Sequence, residues 1–292
     1  MPNFNSASDY YREKYGERIQ KIPVNAGFSC PNRDGTLSFD GCSYCNNDSF
    51  SPFYTSTACS IVEQLEKGAS FYAKRYNCRR FWAYFQSFSN TYSDVQNLHT
   101  KYSQALSLPF IEGLIIATRP DCINDSVVDL LKTFKKLTYI RVELGAESFD
   151  DDVLSAINRH HDVSAVFKAV KILKEAEIET CVHLIFGLPL EKKDSPKTSA
   201  EIVSELGVRF VKLHHLQIVK GSLLEQAYKN GSFNGKLHTA ESYLDVLCEF
   251  LTFLEEGVYI ERLINRAPLN YLLAPIWGNV TESNFKKMLL KR

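Results

Sequence analysis

The sequence predicts an α/β protein built on a partial (β/α)6 TIM-like barrel with a C-terminal extension. Three observations carry this reading. Six short apolar runs alternate with longer segments of helical period. Most of the runs read as buried on both faces, as strands of a parallel sheet are. The residues richest in chemistry gather just after the runs, where the functional loops of parallel barrels lie. The 292 residues, 45% hydrophobic and 23% charged, suffice for a large core without covalent staples.

The first strand, Ile19–Val24, is the weakest, because Pro23 interrupts it and cannot donate to a ladder. Phe81–Phe85, Gly113–Ala117, Tyr139–Leu144, Glu179–Phe186 and Val208–Leu213 follow. Parallel neighbours need crossover connections, and helical segments supply them. Val127, Val128, Leu130, Leu131, Phe134 and Leu137 share one helical face; Val163, Val166, Phe167, Val170, Leu173 and Ala176 share another. Asn124 and Asp162 stand where N-caps are expected. Six strands imply an open barrel. We place the barrel core at residues 1–235 and a helical extension packed on it at 236–292. In the extension, Thr239–Glu256 reads as an amphipathic helix and Val258–Glu261 as a short strand.

Lys and Arg together equal Asp and Glu, 34 each, which gives no support for broad binding to nucleic acid or anionic membrane. Arg75, Arg79 and Arg80, with Lys286, Lys287, Lys291 and Arg292, are the basic clusters available to a polyanion; such clusters are commonly a solvated face. No apolar run reaches the ~18 residues of a membrane span, so the expectation is a cytoplasmic protein without membrane contact. In that reducing compartment the eight cysteines are expected as thiols.

Cys30, Cys42 and Cys45 crowd into a loop rich in Gly, Pro, Asn and Asp directly after the first strand. Three thiolates bind three irons of a cubane cluster and leave the fourth iron open to another ligand. The alternative is zinc, with Cys59 as a fourth ligand, and a zinc-stabilised α/β binding protein would follow. A structural zinc site normally shows a second close cysteine pair, which this sequence lacks. Among the remaining polar residues, Glu143 lies between Val142 and Leu144 and should point into the barrel, where a carboxylate is costly unless paired or used. Lys212 and His214 alternate along the sixth strand and should share a face. We assign them to the substrate cavity as catalytic candidates, where basic groups would suit an anionic substrate.

The segment KIPVNAGFSCPNRDGTLSFDGCSYC resembles the opening of radical S-adenosylmethionine (SAM) enzymes of the YhcC/YtqA-like family, whose core is like that of the Elongator catalytic subunit. The resemblance continues through YFQSFSNTY, ATRPDCI, VELGAESFDDDVL, NRHH, HLIFGLP, KLHHLQIVKGS and the terminal AP-x-W. It departs at RLINRAP, where the family pattern reads RLTG-x-x-P. The resemblance implies a [4Fe–4S] cluster on Cys30, Cys42 and Cys45, with SAM chelating the open iron. It implies reductive cleavage of SAM to a 5′-deoxyadenosyl radical and hydrogen abstraction from a substrate. The electron would come from a flavodoxin- or ferredoxin-type donor. The implied substrate is tRNA, at the side chain of a modified wobble uridine; a peptide or small metabolite is the alternative.

The resemblance also assigns a SAM shell. Tyr44 would lie near the adenine, Ser89, Asn90 and Thr91 near the methionine amino group, and Arg159 at the carboxylate. Arg119 would face the cavity, Glu143 and Glu147 would stand at the fourth strand, His183 would reach the ribose, and Gly187 would belong to an adenine-side loop.

Overall fold

A computed structural model describes residues 4–292; residues 1–3, the start of the barrel core as bounded above, lie outside it. In chain order the elements open with β1 (Asn5–Ser6), α1 (Ala7–Tyr15), β2 (Ile19–Val24), α2 (Ile61–Tyr76), β3 (Arg80–Phe85) and α3 (Val95–Leu106). They continue with β4 (Ile111–Thr118), α4 (Asp125–Lys135), β5 (Tyr139–Glu147), α5 (Asp151–Ala156), α6 (Val163–Glu175), β6 (Glu179–Phe186) and α7 (Ser195–Leu206). The last part holds β7 (Phe210–His215), β8 (Ile218–Val219), α8 (Leu223–Lys229), α9 (Ala240–Phe253), β9 (Tyr259–Arg262), β10 (Leu272–Ala274) and α10 (Glu282–Leu289).

The six predicted strands are β2 to β7, and they are consecutive neighbours in one parallel sheet. Two short strands lengthen that sheet past β7, giving the order β1-β9-β7-β6-β5-β4-β3-β2. The extension is thus in part sheet: β9 pairs with β7 rather than only lying on the barrel. Four residues are too few to show an alternating pattern, and their partners lie nearly fifty residues upstream. Pro23 is tolerated because β2 is an edge strand with one neighbour.

Local signals set the helices. Asn124 accepts from Val127 N at 3.0 Å and Asp162 from Ala165 N at 3.0 Å, each satisfying a first-turn amide as expected. Ser60 and Glu63 form a reciprocal capping box on α2. The apolar faces of α2, α3, α4, α6, α7 and α9 pack on the outer face of the sheet, where Ile140, Val142 and Leu144 of β5 meet them in one continuous core.

The inner face of the sheet is different. Along β5 the alternation turns Tyr139, Arg141 and Glu143 inward. Helix α1 stops the barrel from below: Tyr11 stacks on Phe210 at 5.6 Å and meets Trp82 edge-on at 4.9 Å. Lys21 of β2 and Glu261 of β9 are ion-paired across the interior. The two sides of the open sheet are therefore clasped by side chains rather than by a ladder of backbone hydrogen bonds.

Candidate active site

The opposite end of the barrel, at the C-terminal ends of the strands, opens into a cavity of about 240 Å³. The loop after β2 arches over it and brings Cys30, Cys42 and Cys45 to its wall. Arg33 organises that loop by donating to Cys45 O at 2.7 Å. Its guanidinium lies over Gly41, which has φ +76° and where a Cβ would come within 2.8 Å of Arg33. Only glycine combines that conformation with that contact.

The three thiols lie close enough to repel one another's charge: burial first, then Cys42, pushes Cys45 up to about 11, with Arg33 opposing. Around them are donors aimed at sulfur. Asn32 Nδ2 and Arg159 Nη1 each lie 3.4 Å from Cys42 Sγ, and Asn47 Nδ2 lies 3.8 Å from Cys45 Sγ. Donors of this kind stabilise thiolate ligands and tune a cluster. The residues fit a three-thiolate cluster better than zinc. Among the described residues the three sulfurs are not all within 4.8 Å of one another, whereas thiolates on a tetrahedral zinc, each about 2.3 Å from the metal, stand about 3.8 Å apart. Cys59 does not line the cavity; its thiol faces Lys67 Nζ at 3.4 Å.

The expected SAM shell divides. Tyr44, Ser89, Arg119, Glu143, Glu147, Arg159 and His183 all line the cavity. Arg159 is 5% exposed and reaches Gly145 O with Nη2 and Glu147 at 3.6 Å, while its Nε has no partner. Gly145 leaves the room: a Cβ there would stand 2.8 Å from the guanidinium. Arg119 grips Asp121 through Nε at 2.9 Å and Nη2 at 2.8 Å, and its buried Nη1 is unpaired. Ser89 Oγ is also buried without a partner. Unpaired buried donors at one cavity suit an anionic ligand, because leaving them unmade is costly. Glu147, whose phenol neighbour is Tyr44, is raised by burial, with Arg159 opposing.

Asn90, Thr91 and Gly187 need correction. Asn90 Nδ2 donates to Phe85 O at 3.0 Å and Ala117 O at 2.8 Å, so its side chain laces β3 to β4. Thr91 Oγ1 meets Thr118 Oγ1 at 2.6 Å and Cys122 O at 2.8 Å. Both turn away from the cavity because the ends of two strands leave carbonyls that need donors. Gly187 (φ +99°) is pressed against the backbone of Lys236, whose amide donates to its carbonyl at 2.8 Å; it is a crossing of two chain segments. Instead, Gln86, Ser87 and Phe88 line the wall beside Ser89. Phe88 adopts φ +65°, and no composition signal marks such a turn.

Below the cavity lies a buried ion cluster centred on Glu143. Lys212 Nζ lies at 2.5 Å, Arg141 Nη2 at 2.6 Å, Lys21 Nζ at 2.9 Å and His183 Nε2 at 2.9 Å. Burial works against the charge on Glu143, but Lys21, Lys212 and Arg141 hold its carboxyl well below the usual range. Lys212 faces the barrel as alternation predicts, yet its ammonium is engaged by Glu143 and lies 3.2 Å from the Tyr84 phenol. Burial pushes Lys212 down to about 8, opposed by Glu143 and assisted by repulsion from Lys21 and Arg262. Burial, then Lys212, lowers His183 to about 4; burial, then Arg262, lowers His214. Glu143, Cys181 and His183 come together closely enough to suggest a metal site. The cations already around Glu143 and the high thiol of Cys181, pushed by burial to about 12, argue against one.

The extension also reaches the site. Arg262 and Asn265 line the cavity, and sequence reasoning did not single them out. Trp277 of AP-x-W has a structural role: it stacks on His215 at 3.9 Å and donates to His238 O at 2.8 Å.

Comparison with known proteins agrees with this geometry. The Radical SAM superfamily matches residues 28–203, and the Radical_SAM C-terminal domain matches residues 208–290. Protein YhcC of Escherichia coli (strain K12) is 38% identical over 265 residues, 90% of this chain and 84% of the relative. A tRNA uridine(34) acetyltransferase of Dehalococcoides mccartyi is 33% identical over 166 residues, 56% of this chain and 35% of that protein. The solved structure of the archaeal Elp3 of Methanocaldococcus infernus matches with a TM-score of 0.66 at 17% identity, over 94% of this chain and 62% of that one, a likeness of fold. No helix among the described residues is long and apolar enough to cross a membrane.

Proposed function

This chain belongs to the radical SAM superfamily, and from that premise we propose that it acts on the side chain of a modified wobble uridine in tRNA. As an enzyme of this superfamily it uses a [4Fe–4S] cluster, SAM and a reductant. One observation carries the reading: three thiols in a single loop stand over the mouth of a parallel barrel, beside buried arginines with donors to spare. When bound, cluster and SAM supply an electron and a carbon radical able to take a hydrogen atom from a substrate.

The chain's own residues do the rest. Cys30, Cys42 and Cys45 hold the cluster, and Asn32 and Arg159 donate toward Cys42. Arg159 and Arg119 orient the SAM carboxylate with the donors they have left, and Tyr44 and His183 flank the nucleoside. Lys212 and His214 form the cavity floor, where Glu143 fixes the lysine. The arch of the cysteine loop limits water near the reacting centre.

The tRNA substrate is supported by a relative named as a tRNA uridine(34) acetyltransferase, which matches over 56% of this chain. Nucleoside mass spectrometry of tRNA from a deletion strain should show an unprocessed wobble uridine. Unchanged nucleosides would sink the tRNA reading. The zero net charge favours a second reading, a small metabolite or peptide. Steep weakening of binding with salt would speak for whole tRNA, and a flat response for the smaller substrate.

A further inference from the structure

We propose that Arg262 recognises an anionic group on the substrate, a carboxylate or a phosphate; this rests on the reading that the substrate enters the barrel cavity. The position of Arg262 is the first support. Phe210 pairs with Tyr259 and Val211 with Ile260, but Lys212 pairs with Arg262, so β9 carries an extra residue at Glu261. Strict alternation would send one of Glu261 and Arg262 outward. The irregularity turns both toward the barrel: Glu261 reaches Lys21 and Arg141, and Arg262 lines the cavity above them. Bulges re-aim side chains in this way beside active sites.

Charge is the second support. Five cations line the cavity. Lys212 is paired with Glu143, Arg119 with Asp121 and Arg159 with Glu147; Arg33 holds the cysteine loop through Cys45 O. Among the described residues Arg262 makes no ion pair within 4 Å, although the Glu282 carboxylate is near enough to feel its charge. Its side-chain partner is the neutral Asn265, at 3.3 Å from Nη1 to Oδ1. Its neighbour His214 is held neutral by burial and by Arg262 itself. The guanidinium therefore offers a planar fork to the space in which a substrate must lie, and such forks match carboxylate and phosphate.

The third support is rigidity. Glu282 accepts from Leu263 N at 2.8 Å and Ile264 N at 3.3 Å. Gln217 holds Asn265 O and accepts from Ala267 N at 2.9 Å. The segment after the bulge is thus mounted from α10 and from the β7–β8 turn. It is the stretch that departs from the family pattern, and at position 265 the side chain itself provides the contact to Arg262.

The test is calorimetric titration of the cluster-loaded, SAM-bound enzyme with uridine, 5-carboxymethyluridine and uridine 5′-monophosphate, and with acetate and inorganic phosphate as bare anions. Wild type should prefer an anionic nucleoside over uridine by roughly ten- to a hundredfold. The anionic nucleoside that wins separates a carboxylate on the target from a phosphate of the chain. Arg262→Gln should abolish the preference, and Arg262→Lys, which lacks the fork, should weaken it severalfold. Iron content and unfolding midpoint check that each variant is intact. If Arg262→Gln loses its cluster, Arg262→Lys carries the comparison. If no nucleoside binds but a bare anion binds in an Arg262-dependent way, the RNA reading fails and this inference stands. An unchanged preference in the variants, or no preference for any anion in wild type, overturns it.

Discussion

The floor and the mouth of the barrel are both rich in buried charge, and they treat it in opposite ways. At the floor, Glu143 meets four donors within 3 Å and Glu261 answers Lys21 and Arg141, with Arg141 Nε the one floor donor left without a partner among the described residues. At the mouth, Arg119 Nη1, Arg159 Nε and Ser89 Oγ are buried with no partner. A buried ion pair that is fully answered fixes geometry. A buried donor left unanswered is a cost that a ligand can remove. The same barrel thus separates a structural charge cluster, carried on its strands, from a receptive one carried on the loops that follow them.

The largest contrast lies in the thiols. Cys42→Ala should lose the cluster outright, read as iron content, together with 5′-deoxyadenosine formation, while Cys59→Ala keeps both. Loss of iron in Cys59→Ala would return a four-cysteine site to contention.

The next effect belongs to the floor. Glu143→Ala leaves Lys21, Arg141 and Lys212 without their shared counter-charge, and breaking a buried pair costs about 3–5 kcal/mol. Denaturant unfolding should register that loss. Unchanged stability with weakened SAM binding would move Glu143 into the receptive region instead. At the mouth the order reverses: Arg159→Ala should weaken SAM binding roughly ten- to a hundredfold with iron retained, the effect of a charge-assisted contact worth ~1.5–3 kcal/mol.

The smallest effect is one of sign in pH. Burial opposes the charge on Glu261, but Lys21 and Arg141 lower it from 4.5 to about 2. Its stabilisation is complete above the unfolded value and is lost as pH falls from about 4.5 toward 2. Glu147 is raised, so its contribution runs the other way and declines as pH rises above 4.5. Glu261→Gln should flatten the acid limb of a stability–pH curve, and Glu147→Gln should not.

The six central strands were legible because each is an apolar run long enough to read, and the cysteines because their spacing is dense. Glu143 could be placed inside the barrel by alternation alone. Arg141 shares that face by the same alternation, but Lys21 and Lys212 come from other strands and no local pattern links them to Glu143. The same limit hid Arg262, whose direction depends on one extra residue in a four-residue strand. Asn90 and Thr91 are placed near the methionine amino group by resemblance, and a polar residue at a strand end can equally satisfy neighbouring carbonyls, as their side chains do here. The plug formed by α1 was invisible for a similar reason: nothing in the spacing of Tyr10, Tyr11 and Tyr15 says which surface they stop.

The clasp between Lys21 and Glu261 has a consequence for how the chain is made. Residue 21 leaves the ribosome 240 residues ahead of residue 261, yet each answers the other's charge. Until Glu261 arrives, Lys21 and Arg141 have one carboxylate between them, and Lys212 claims the same one. A nascent or truncated chain that stops before β9 would therefore hold all six central strands and still carry a surplus of positive charge inside them. With Glu261 in place three cations share two carboxylates, so the surplus falls to its lowest only once β9 has been translated.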